Sequence, residues 1–83
     1  MELRRKARAA LEAGIIPRDR PKGLWGGNGL GQQCPICGLS VDVTEMELEV
    51  EFAIAEVGMC GVREFHLHLP CFAAWEIERS GVD

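Results

Sequence analysis

The sequence contains no tyrosine, and its aromatic side chains are three Phe and two Trp, 6% of the chain. Large core-filling groups are therefore scarce, although hydrophobic residues together make up 47% of the 83 residues. Below roughly 70–80 residues a single apolar core rarely supplies more than about 3–5 kcal/mol of net stability. Chains of this size recruit disulfides, a metal or a partner. No stretch approaches about 18 consecutive apolar residues, so no transmembrane helix is expected. The charged segment from Met1 to Arg8 is not followed by the apolar run that a secretory signal needs. The resulting expectation is a cytoplasmic protein. In a reducing compartment four cysteines read as metal ligands. An exported chain would instead allow two disulfides in three connectivities.

Basic residues are scarce after position 33. Residues 1–33 carry seven Lys or Arg against three acids, whereas residues 34–83 carry two Arg against ten acids. The net charge of −4 is thus the sum of a basic leader and an acidic module. Two organisational units are expected: a basic N-terminal helix and linker over 1–23, and a metal-binding domain over 24–83. The leader offers a basic patch at Arg4, Arg5, Lys6 and Arg8 for an acidic partner or nucleic acid. The simpler reading is a pair of solvated faces.

Alanine-rich residues Glu2 to Ala13 predict a helix with Leu3, Ala7, Ala10 and Leu11 on one face, ended by Gly14 and Pro17. That stripe is short, so the helix must dock or fray. Ile15 to Gln33 reads as loop. Its glycines around Trp25 lack the Lys-Ser/Thr of a phosphate-binding loop and the strand–helix frame of a dinucleotide site, so a structural role is expected. From Glu45 to Phe52 acids and apolar residues alternate without a break. A period of two puts Met46, Leu48, Val50 and Phe52 on one face, and Glu45, Glu47, Glu49 and Glu51 on the other, solvated one. Val62 to His68 reads as the returning strand after a turn through Gly58 and Gly61. Pro70 then opens a helix that runs to about Arg79 and stops at Gly81.

Cys34-Pro35-Ile36-Cys37-Gly38 places two thiolates where both reach one tetrahedral ion, with Gly38 free to turn. His68-Leu69-Pro70-Cys71 repeats the two-residue spacing at the expected strand-to-helix junction, where the helix N-terminus favours the Cys71 thiolate. Cys34, Cys37, His68 and Cys71 make a closed Cys₃His set, pointing to one structural Zn²⁺. Two substitutes stand beside it. His66 has the parity of His68 but not its spacing to Cys71. Cys60 has no partner two residues away and reads as a small turn residue or free thiol. A thioredoxin-like use of the C-x-x-C motif would leave His68 and Cys71 unexplained.

Cysteine knuckle, hairpin, and a helix whose first turn donates the last ligand resemble the treble-clef zinc fingers. The run from Trp25-Gly26-Gly27 through the knuckle to His68, Cys71 and Trp75 is similar to small, uncharacterised bacterial proteins sharing a W-G-G, C-x-x-C, H-x-x-C, W pattern. The resemblance implies a small α+β zinc-stabilised domain with an additional N-terminal helix. It implies little about activity, because such fingers serve protein binding, nucleic-acid binding and catalysis alike. Three uses follow. The first is a non-catalytic adaptor that binds another protein through Glu45, Glu47, Glu49, Glu51 and Trp25. The second is a nucleic-acid module using the basic segment, with Trp25 for stacking. The third is an enzyme working through Cys60 or His66, which lacks an orienting polar group. The adaptor is the expected one.

Overall fold

A chain this poor in large side chains must make each one count, and the core is built around Trp75. The computed structural model describes residues 2–56 and 59–81, with the backbone alone at 55, 56, 59 and 60. Helix α1 (Glu2–Glu12) is followed by strands β1 (Gly23–Asn28), β2 (Met46–Glu56) and β3 (Met59–His68), and by helix α2 (Leu69–Ser80). The strands form one antiparallel sheet in the order β1-β2-β3. The result is a small α+β fold.

Helix α1 docks as its stripe requires. Ala7, Ala10 and Leu11 are buried in the same apolar cluster as Trp75, Val50 and Leu67, so the core joins residues on both sides of position 23. Alanines at the contact let α1 and α2 approach closely. The helix closes with Gly14 N–H donating to Leu11 O and Ile15 N–H donating to Ala10 O, the double bond of a Schellman end. An ion-pair cluster on α2 clamps the same end of the molecule. Arg4 Nε and Arg8 Nε donate to the two carboxylate oxygens of Glu78 at 2.6 and 2.9 Å. Glu78 is buried, and its carboxyl lies below the ordinary range, first because Arg4 and then because Arg8 bonds to it.

The aromatic side chains pack edge to face. Phe52 meets both Phe65 and Trp75 with ring centroids 5.7 Å apart, and Phe72 tilts against Trp75 at 5.6 Å. The indole N–H of Trp75 donates to Pro17 O at 3.1 Å, which fastens the segment after α1 to α2.

The segment expected to be loop contains strand β1. Its register with β2 runs from Gly23 opposite Glu51 to Asn28 opposite Met46. A sequence of Gly-Leu-Trp-Gly-Gly-Asn has poor intrinsic strand preference. The free hydrogen-bonding edge of β2 recruits it regardless. The Trp25 ring lies over Gly23, where a Cβ would collide with it.

The two long strands match the sequence reading and extend beyond it. They pair from Glu47 opposite His68 to Glu56 opposite Met59. Gly61 sits within β3 opposite Ile54 rather than in the turn, because the open hairpin end still offers ladder partners. The expectation for Gly58 lies outside the described residues. The alternation in β2 is real, yet the faces are not simply dry and wet. Val50 and Phe52 are buried while Met46 is half exposed, and Glu47 is buried to the same degree as the apolar core. The end of the sheet decides this for Met46, which pairs with Asn28 at the last position of the β1–β2 ladder and lies outside the β2–β3 ladder, which starts at Glu47.

A candidate metal centre

The cysteine knuckle is itself a small hairpin. Cys34 N–H donates to Leu39 O, Gly38 N–H donates to Cys34 O, and Gln33 and Ser40 form an isolated bridge. Gly38 has φ +79°, a left-handed conformation that side-chain-bearing residues rarely adopt, and it brings the chain back directly after Cys37. The hairpin is tied to the sheet by a close approach. A Cβ on Gly29 would strike the carbonyl oxygens of Val41 and Asp42.

His68 is the last residue of β3 and Cys71 lies in the first turn of α2, with Pro70 at a position whose missing N–H costs the helix nothing. These two elements carry the second pair of donors to the knuckle. One donor atom each from Cys34, Cys37, His68 and Cys71 lies within 4.8 Å of every other, a cluster able to hold one metal ion. His68 Nδ1 is 3.4 Å from Cys37 Sγ and 3.9 Å from Cys71 Sγ. The edge of a tetrahedron with ordinary Zn–S and Zn–N bonds is about 3.5 Å, so the spacing suits a shared ion. The other ring nitrogen faces away. His68 Nε2 donates to Ser40 O at 3.2 Å and lies 3.4 Å from Glu45 Oε1, an arrangement that leaves the Nδ1 lone pair directed at the sulfurs.

The charges of the donors support the same conclusion. Burial pushes the Cys34 thiol up, but amide hydrogen bonds from Cys37, His68 and Ile36 outweigh it, and the net direction is down. Cys71 moves the opposite way, raised first by burial and then by the neighbouring charge and sulfur of Cys34. Three thiolates crowded together repel one another, and a bound cation reverses that repulsion. His68 is raised: burial opposes its charged form, while the hydrogen bond and charge of Cys34 favour it more strongly.

The structure treats the remaining candidates unevenly. His66 is not among these four donors. Its Nδ1 lies 3.0 Å from Glu47 Oε2 on the glutamate face. An orienting polar group, expected to be missing, is therefore present. The expectation for the Cys60 side chain lies outside what is described. Of the glutamates expected to form a solvated surface, Glu45 accepts from the Asp42 amide at 2.9 Å and faces His68, and Glu47 is buried against His66. Glu49 and Glu51 are half buried. Trp25 is exposed, as a surface role requires. In the basic segment Arg5 and Lys6 are exposed, whereas Arg4 and Arg8 are engaged by Glu78. The Glu78 partner was missed in the sequence because the contact spans 70 or more positions. Comparison with protein-family models, curated proteins and solved structures gives no match to this chain.

Proposed function

We propose that Cys34, Cys37, His68 and Cys71 hold one structural zinc ion in a treble-clef-like arrangement, and that the domain is a non-catalytic adaptor for another protein. The observation that carries this reading is the closed set of four donors within 4.8 Å. Four protein ligands leave zinc no position for a substrate, which separates a structural ion from a catalytic one. Three soft thiolates with one imidazole favour zinc over oxygen-seeking cations. The amides that bond Cys34 and the Ser40 carbonyl that orients His68 supply the outer contacts such a site needs.

A protein partner is supported by what the ion holds at the surface. Leu30, Leu39 and Val43 around the knuckle, with Leu24 and Trp25 on the edge strand β1 and Met46 at the start of β2, all remain exposed. Apolar side chains kept in water on so small a domain are the usual material of an interface. The engagement of Arg4 and Arg8 by Glu78 counts against nucleic acid, since it holds two of the four cations in that patch against a carboxylate that offsets one of their charges.

Elemental analysis of dialysed protein should find one zinc per chain, and Cys60→Ser should retain it. A metal-free folded protein would overturn the zinc assignment. For the adaptor, affinity capture should recover a stoichiometric protein partner that Trp25→Ala or Leu39→Asp loses. Salt-dependent binding of DNA or RNA with no protein partner would replace that reading with the nucleic-acid one.

A further inference from the structure

The glutamate face of the sheet holds a second group of donors that the cysteine site does not use. Glu49 stands directly opposite His66 in the ladder, and Glu47 is two residues along the same face of β2. One donor atom each from Glu47, Glu49 and His66 lies within 4.8 Å of the others. Acidic clusters are common on protein surfaces, and proximity by itself assigns nothing.

The decisive feature is Glu47. Its side chain is 6% exposed, and while Oε2 pairs with His66, Oε1 is buried without a hydrogen-bond partner among the described residues. A buried carboxylate oxygen normally finds a donor or a cation. The pairing with His66 leaves that oxygen unsatisfied, and Glu49 adds further negative charge beside it. Among the described residues no lysine or arginine pairs with Glu47 or Glu49. Farther along the same face, Glu51 is raised from its ordinary range, first by burial and then by the carboxyl of Glu64 opposite it. The face as a whole carries more negative charge than its own residues balance.

We propose that Glu47, Glu49 and His66 form a second cation site, which takes a divalent first-row transition metal through two carboxylates and one imidazole. The donor set selects this class. Calcium takes six to eight oxygen ligands and magnesium keeps most of its water, whereas imidazole with carboxylates suits manganese, iron or zinc. Three protein donors leave coordination positions open, unlike the closed cysteine site, so an ion here remains accessible to solvent or to a ligand from outside.

The test uses the full chain carrying one equivalent of Zn²⁺, titrated with Mn²⁺ and followed by the electron paramagnetic resonance of free Mn²⁺. Manganese favours oxygen donors and does not displace zinc from thiolates, so the titration reads the second site. One Mn²⁺ per chain should bind saturably. Glu49→Gln and His66→Asn should each weaken it by about tenfold or more, and Glu64→Gln should leave it unchanged. Glu49 is partly exposed and the His66 side chain, 17% exposed, is less enclosed than that of Glu47 at 6%, so these variants keep the test available even where Glu47→Gln fails to fold. The absence of saturable binding overturns the proposal. So does binding lost in Glu51→Gln and Glu64→Gln but kept in His66→Asn, which would move the ion to the neighbouring carboxylates Glu49, Glu51 and Glu64.

Discussion

At the scale of single residues, the two histidines of β3 divide the chemistry of one sheet face. They are two positions apart and share parity, yet His68 turns to the sulfurs and His66 to Glu47. Spacing to Cys71 made His68 the better ligand from sequence, and the structure agrees because β3 ends where α2 begins. The environment of His66 was not legible, since it depends on the register that sets Glu49 across from it. Cys34→Ser or Cys71→Ser should remove the metal and unfold the chain, observed as collapse of the dispersed amide signals in NMR. Binding of a structural zinc contributes about 10–16 kcal/mol of apparent free energy in small fingers, more than this core supplies without it. Glu78→Gln should lower Tm at neutral pH, because it leaves two arginines facing a neutral amide. The folded carboxyl titrates below its ordinary 4.5. Its stabilisation is therefore present above that value and lost as pH falls through the lower folded one. The gap in Tm between wild type and variant should hold at neutral pH and narrow in acid.

At the scale of elements, the knuckle and α2 depend on two kinds of close fit. Gly29 passes so near the Val41 and Asp42 carbonyls that no side chain can be accommodated. Gly29→Ala should cost about 1–3 kcal/mol in urea denaturation, the range for forced overpacking. Gly27→Ala, with open space around its position, should stay within about 0.5 kcal/mol. Helix α2 is anchored by Trp75, which has no exposed surface, whereas Trp25 is 53% exposed. Acrylamide should therefore quench the fluorescence of Trp75→Phe readily and that of Trp25→Phe weakly. Equal quenching of the two variants would contradict the burial of Trp75. Trp75→Ala should cost about 3–5 kcal/mol, read as a lower Tm of the metal-loaded protein. Both helices and the β2–β3 hairpin could be read from periodicity, because each has its own amphipathic pattern. Strand β1 could not, because its glycines conceal it and the edge of β2 creates it.

At the scale of the whole molecule, one small core is closed by contacts between the ends of the chain. Helix α1 reaches α2 through alanine packing and through Arg4 and Arg8 on Glu78. The basic leader inferred from charge asymmetry is thus partly a structural clamp, and its charge is directed inward as well as outward. Removing the metal with a chelator should unfold α1 and α2 together rather than the knuckle alone. Circular dichroism and Trp75 fluorescence should then change with one midpoint. Two separate transitions would show that the helices form a unit independent of the cysteines.

The sequence alone determined the four donors, the two helices, the hairpin and the acid–apolar alternation of β2. These are matters of spacing and period, which survive without knowledge of distant neighbours. Tertiary structure alone decided which glutamates meet water, that His66 pairs with Glu47, and that a glycine-rich segment becomes a strand. It also decided that Glu47 ends buried with one oxygen unpaired. Burial and pairing are set by what arrives across the sheet and from the far end of the chain. A local pattern of acid and apolar residues carries no record of those arrivals.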